Sequence, residues 1–432
     1  MAKKKVLVIA YYFPPLGGAG VQRALKFVKY LPEFGWEPVV LTVKKISYPA
    51  WDETLLHEIP SDAKIWRSGS LDPQRLVYLL SKLSNLKPTK QKSGSGSLPA
   101  DWLRFLKWFL IPDSKIGWFP LALRKGLRLV RKEKIDLIFS TSPPATSHLL
   151  GYWLSKLSKK PLVVDFRDPW DLVAQDYPST LHKRVSQALK RKILDRVKGF
   201  TAVNRQIADE LLQESPGLKS EIISNGFDSA DFEGLNPKVS DKFEIVYVGT
   251  FNRLHDPRPF LQAYSELLRG EEDFAQRAHF TRVGQVLGWD WNTLLKEYNL
   301  EEWVASIDYL PHRESLEYLL TAKVLLLTTG GKKGSPYITT GKIYEYLAAR
   351  KPILAIVPEN GAAAQLLREN NIGVIVEPND KDGIKRALLG WFEKYKAGTL
   401  DSGLPTPDLK RYERKYLTQK LAGFFNRCLD ER

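Results

Sequence analysis

The chain holds one cysteine, Cys428, in 432 residues. A single thiol forms no internal disulfide framework and supports no cysteine-ligated metal site. That usage fits a reducing compartment, the cytoplasm. No uninterrupted apolar run approaches the roughly 20 residues that a membrane-spanning helix needs. Met1-Ala2-Lys3-Lys4-Lys5 leads straight into Val6-Leu7-Val8-Ile9-Ala10, too short an apolar run for a secretory leader and without a small-residue cleavage site. Acidic residues are scarce relative to basic ones, 49 against 65, giving a formal net charge of +16. Such an excess predicts an anionic partner: nucleic acid, a membrane face or an anionic substrate. No nucleic-acid-binding module or motif accompanies it, so nucleic acid is set aside.

The positive charge is concentrated. Residues 87–134 carry twelve Lys or Arg against three acids, interleaved with Trp102, Phe105, Trp108, Phe109, Trp118 and Phe119. Residues 183–198 carry seven against one. Basic residues mixed with aromatics suit a lipid interface, which predicts peripheral docking on the anionic inner face of the cell membrane. A solvated helical face with an aromatic core behind it leaves the same pattern.

At this length two or three domains are expected. Val6–Ala10 reads as a strand, followed by a Gly-rich loop, a helix over about Val21–Phe34 and a strand over Pro38–Val43. That sequence of elements is one parallel crossover unit. Similar units recur through strands at 135–140, 162–166, 200–203 and 221–224. Residues 84–99 read as a loop. The pattern then restarts at 243–248 and continues through 279–283, 306–309, 324–328, 353–357 and 373–376. The expected organisation is an N-terminal acceptor-binding domain at 1–228, a linker at 229–241 and a nucleotide-sugar-binding domain at 242–408. A C-terminal helix at 409–432 completes it. The fold class is α/β: two doubly wound, Rossmann-like domains facing across a cleft, with the last helix packing back on the first domain.

The most informative stretch is Lys342-Ile343-Tyr344-Glu345-Tyr346-Leu347-Ala348. It sets a carboxylate in the first turns of a helix, after a Gly- and Thr-rich loop and before a buried strand. Strand ends that open into loops are where α/β sheets bind nucleotide-type ligands. Gly17 and Gly18 follow the first strand and let backbone approach a ligand closely. The run Gly18-Ala19-Gly20-Val21-Gln22-Arg23 lacks the third glycine of a dinucleotide fingerprint, and no acidic residue follows at the right strand end.

Three stretches, in order, resemble glycosyltransferase family four. They are Phe13-Pro14-Pro15-Leu16-Gly17-Gly18-Ala19-Gly20 with Arg23, then Ile222-Ile223-Ser224-Asn225-Gly226-Phe227-Asp228, and then Gly341–Ala348 followed by Lys351-Pro352. The resemblance implies the GT-B fold and sugar transfer from a nucleotide-sugar, with retention at the anomeric carbon and neither metal nor other cofactor. It gives Glu345 the donor ribose. Gly249, Arg253 and Lys342 fall on the donor side with Gly17 and Gly18. Departing diphosphate charge needs preorganised cations and N–H donors. Two departures stand out: Thr250 replaces the family's arginine, and Tyr337 replaces the first of its paired glutamates. His255 or Arg258 are further candidates for the missing cation. In the first domain Asp168 is a candidate for acceptor-hydroxyl chemistry, Arg167 for acceptor or diphosphate charge, and His148 a second catalytic candidate. The expected acceptor is a saccharide or lipid-linked saccharide of the cell envelope. A non-catalytic binding subunit and a nucleotide-sugar epimerase of the same fold are the alternatives.

Overall fold

The computed structural model describes residues 3–83 and 110–430, apart from 49, 174–178, 238–239, 330–338, 403 and 406. Tyr337, the loop at 84–99 and the aromatics Trp102, Phe105, Trp108 and Phe109 therefore lie outside the described residues.

The chain divides into two compact units, Met1–Ser224 with Arg414–Arg432, and Asn225–Glu413. The first is built on a seven-stranded sheet: β1 (Lys4–Ile9), β2 (Trp36–Val43), β3 (Lys64–Ser68), β4 (Leu137–Ser142), β5 (Leu162–Phe166), β6 (Gly199–Ala202) and β7 (Ser220–Ile222). Their order is β3-β2-β1-β4-β5-β6-β7, and every pairing is parallel. Strands buried on both faces read as continuous apolar runs, as Val6–Ile9 of β1 and Leu137–Phe139 of β4 do. The chain order reverses between β1 and β4, which pair from Val6–Leu137 to Ile9–Ser140.

The last helix, Arg414–Asp430, belongs to this unit. Leu417, Leu421, Phe424 and Phe425 join its apolar core. The Phe425 ring sits 5.2 Å from those of both Trp36 and Phe139. An amphipathic helix buries its stripe wherever a matching surface exists, and here the end of the chain closes on the sheet that its beginning forms.

The second unit holds a six-stranded parallel sheet: β8 (Phe243–Val248), β9 (Ala278–Val283), β10 (Val304–Ile307), β11 (Val324–Thr328), β12 (Ile353–Ile356) and β13 (Val374–Val376). Its order is β10-β9-β8-β11-β12-β13, the doubly wound arrangement whose direction reverses between the first and fourth strands. β8 and β11 are the strands that meet there. Residues 229–232, expected in a linker, form a 3-10 turn of this unit.

Of the two readings of 87–134, Trp118 fits the aromatic core behind a solvated face. Trp118 is fully buried; its indole N–H donates to Ser68 Oγ at 2.6 Å, and its ring lies 5.3 Å from that of Tyr11. It is a core residue, because an amphipathic helix start turns its aromatic face inward while leaving its lysines and arginines outside.

Candidate functional site

At the switch point of the second sheet, the carboxyl ends of β8 and β11 open into two loops. The chain leaves β8 through Gly249 at φ 140°, a conformation L side chains rarely adopt. A Cβ there would stand 2.5 Å from Lys342 Nζ. Lys342 reaches this point from the helix Gly341–Ala349. Its ammonium donates to Tyr247 Oη at 2.8 Å and lies 4.3 Å from the centre of that ring. Tyr247 in turn stacks on Phe251 at 3.8 Å, Phe251 on Trp291 at 5.6 Å, and the Arg282 guanidinium caps Trp291 at 5.2 Å. A cation–aromatic stack of this kind fixes the lysine head against the first turn after β8. Burial pushes the Lys342 ammonium down to about 7, against the pull of Glu345.

His255 closes the loop from the other side. Its Nδ1 lies 2.7 Å from the Thr328 carbonyl, the last residue of β11, so that nitrogen carries the proton and donates. Burial, then the neighbouring Lys342, lowers His255 to about 3, and the ring is neutral at physiological pH. Without a ligand it therefore carries no charge to stand in for the family's cation. Arg258 is held by Asp256, with Nε to Oδ1 at 2.9 Å. Arg253 is exposed on the same loop.

Glu345 sits in the second turn of the helix Gly341–Ala349, one turn beyond Lys342 and partly buried, with its side chain 20% exposed. Its Oε1 accepts from His312 Nε2 at 2.9 Å, and Asp231 Oδ2 lies 3.7 Å from His312 Nδ1. The turn after β9 supports the same region. Gly284, at φ 125°, is placed so that a Cβ on it would run into the carbonyl of Gly249. Lys342 and Glu345 thus lie one turn apart on the same helix. His312, Tyr247 and Gly284 were missed: the first two carry no local pattern, whereas a glycine directly after a strand was a signal available for the third.

The switch point of the first sheet is laid out differently. Arg23 is fully buried and clasps Asp165, with Nε to Oδ2 at 3.0 Å and Nη2 to Oδ1 at 2.7 Å. It also donates to the carbonyls of Ile223 and Ser224. Thr141 and Thr201 hydroxyls complete the carboxylate's partners at 2.7 and 2.6 Å. Burial alone would raise Asp165, but the Arg23 guanidinium and these hydroxyls hold it below the ordinary aspartate value. The pair ties together the first helix, the strand core and the end of the unit.

Arg167 donates from Nε to the Ser142 carbonyl at 2.7 Å, from Nη2 to that of Pro143 at 2.8 Å, and from Nη1 to that of Gly20. Its fork gathers three loops at the strand ends. Asp168, beside it, is half-buried, and burial pushes its carboxyl up against the pull of Arg167. Gly17 is buried and donates its N–H to the Ala50 carbonyl at 2.8 Å, so that donor is already used. Gly18 precedes the helix Ala19–Tyr30 as its N-cap.

His148 has no exposed surface. Its Nδ1 is 2.8 Å from Ser140 Oγ, its ring lies against Phe166 and Trp170, and burial lowers it to about 3. Fully enclosed, it is packed as a core residue in this structure.

Each unit, with its parallel sheet and ligand-type loops at the switch point, is Rossmann-like, and the two together match the GT-B fold. HepE of Anabaena in complex with UDP superposes with a TM-score of 0.63 at 15% identity, covering 98% of this chain and 100% of that one. Sucrose-phosphate synthase of Thermosynechococcus elongatus gives 0.64 at 14% identity over all of both chains. WaaG, a glycosyltransferase involved in lipopolysaccharide biosynthesis, gives 0.57 at 12% identity over 99% and 95%. At such identities the likeness is one of fold. Residues 17–231 match the family described as Glycosyltransferase Family 4. The chain belongs to that family, as the three sequence stretches suggest. No curated protein matches in sequence.

Proposed function

We propose that this chain transfers a glycosyl group from a nucleoside-diphosphate sugar to a saccharide or lipid-linked acceptor of the cell envelope, with retention and without a metal. The convergence of Lys342 and Glu345 at the switch point of the second sheet carries this reading. An ammonium beside a helix N-terminus stabilises a departing diphosphate. A carboxylate one turn further on accepts the hydroxyls of a ribose. UDP is the first nucleotide to try, because solved structures of the same fold contain it. WaaG's part in lipopolysaccharide biosynthesis supports an envelope acceptor. In the reaction the bond from the anomeric carbon to the diphosphate oxygen breaks. The acceptor oxygen bonds that carbon, and its proton leaves to a base. Asp168 is our candidate for handling the acceptor hydroxyl, since burial raises its carboxyl above the ordinary aspartate value and so makes it a better proton acceptor than a solvated one.

Titration with UDP, GDP and ADP and their sugars tests the donor. Glu345→Ala should weaken binding of the preferred nucleotide about 10- to 100-fold, the worth of one or two hydrogen bonds to a charged group, while the melting temperature stays close to wild type. Unchanged affinity and turnover in that variant would remove Glu345 from the site.

Docking on the inner membrane face belongs to the same proposal. No helix among the described residues is long and apolar enough to cross a membrane. The helix Thr180–Leu194 exposes Lys183, Arg184, Arg191 and Lys192, and the helix Phe119–Lys132 exposes Arg124, Arg128, Arg131 and Lys132. Vesicles containing anionic phospholipid should retain the protein at low salt and release it near 1 M salt, where the screening length falls to about 3 Å. Equal retention in both would count against electrostatic docking.

A further inference from the structure

Glu345 does not stand alone, and the group behind it suggests how its carboxylate is aimed. His312 begins the helix His312–Thr321, 33 residues before Glu345. A carboxylate only accepts hydrogen bonds, so His312 Nε2, 2.9 Å from Glu345 Oε1, carries a proton and donates it. The opposite nitrogen faces Asp231 Oδ2 at 3.7 Å. Asp231 is buried in the turn Ser229–Phe232. The helix start is fastened to that turn by Arg313, whose guanidinium donates to the carbonyls of Ala230 and Glu233. The His312 side chain is 14% exposed and that of Asp231 8%. The ring thus lies between two carboxylates on a clamped helix end, hydrogen-bonded to Glu345 and within ion-pair distance of Asp231, and Glu345 is the carboxylate that the donor reading assigns to the ribose.

We infer that His312 is a positioning residue for Glu345, oriented in its turn by Asp231, so that the carboxylate is held in the rotamer that accepts the ribose hydroxyls. The inference rests on the donor-site reading above. A glutamate side chain has three rotatable bonds, and freezing them before the ligand arrives removes that cost from binding. His312 uses one lone pair of Oε1. Each carboxylate oxygen has two acceptor positions, so the diol can still be bound. The arrangement parallels the carboxylates and carbonyls that orient metal-bound histidines through their outer nitrogen, with an imidazole here orienting a carboxylate.

A merely structural histidine would change stability but not the recognition of a ribose. The experiment therefore compares a nucleoside diphosphate with its 2′,3′-dideoxy analogue by calorimetry, using whichever of UDP, GDP and ADP the wild type binds most tightly. The wild type should prefer the natural ribose by about tenfold or more, the worth of a hydrogen bond to a charged group. His312→Ala should bring that preference to within about twofold, as should Glu345→Ala. His312→Gln, whose amide nitrogen can occupy the place of Nε2, should restore most of it. If His312→Ala does not fold, His312→Asn, whose amide falls short of Glu345, makes the same comparison. A wild-type preference that survives intact in His312→Ala or His312→Asn overturns the positioning role and leaves the donor reading standing. A wild type that ignores the missing hydroxyls, or binds none of the three nucleotides, overturns the donor reading and the inference together.

Discussion

Lys342→Met should lower the rate of glycosyl transfer about 100- to 1000-fold, the usual effect of removing one preorganised donor from a developing anion. The chain has Thr250 where its family has an arginine. His255 is neutral, Arg258 is held by Asp256, and Arg253 is exposed. Lys342 is the cation left inside the turn after β8 among the described residues, with Nζ at the position a Gly249 Cβ would crowd. The methionine has similar length and no charge, so a loss measures the ammonium and not the packing. The pH dependence follows from the same burial. With the free enzyme's lysine lowered to about 7, the ammonium is present below that pH and is lost above it. Donor affinity should therefore fall by about tenfold per pH unit once the pH passes about 7. Binding should take up protons there, because the diphosphate restores the charge. Calorimetry in buffers of different ionisation enthalpy reads that uptake directly. A flat affinity between pH 6 and 9 with no proton uptake would mean that Lys342 does not meet the phosphates.

Gly284→Ala should abolish donor binding and destabilise the second unit by about 2–5 kcal/mol, the combined cost of a positive φ for a residue with a Cβ and of an overpacked contact. Gly284 has φ 125°, and its added methyl would overlap the carbonyl of Gly249. Neither backbone can retreat easily, since Gly249 N–H bonds to Val283 O at 2.8 Å and Gly284 N–H to Ile307 O at 3.0 Å. The strain falls on the turn that Lys342 abuts, so binding should fail even where folding survives. Chemical denaturation checks the first effect and nucleotide titration the second. An alanine variant with wild-type stability and affinity would mean that the two turns are not coupled.

The strand pattern was largely legible because parallel strands buried on both faces are short apolar runs bounded by turn residues. Leu162–Phe166, Phe243–Val248 and Val324–Thr328 coincide with expectation to the residue. β3 was not seen. It is a half-exposed edge strand, Lys64–Ser68, whose Trp66 is covered by the ammonium groups of Lys125 and Lys132, and an edge has no second buried face to impose an apolar run. Charge counting left Trp118 open between a lipid-facing surface and a core behind a solvated face, because composition does not say which side of a helix faces inward.

Composition, element order and three short stretches determined that this chain is two doubly wound units of glycosyltransferase family four, and they singled out Lys342 and Glu345 as candidates. Those features are local: periodicity within a strand, glycine at its end, a carboxylate one turn into a helix. The tertiary structure decided which charges are free and which are spent. It committed Arg23 to Asp165 and Arg167 to three carbonyls, buried His148, and set His312 against a glutamate 33 residues away. Such pairings depend on which strand ends the sheet order brings together, and no spacing along the chain encodes them.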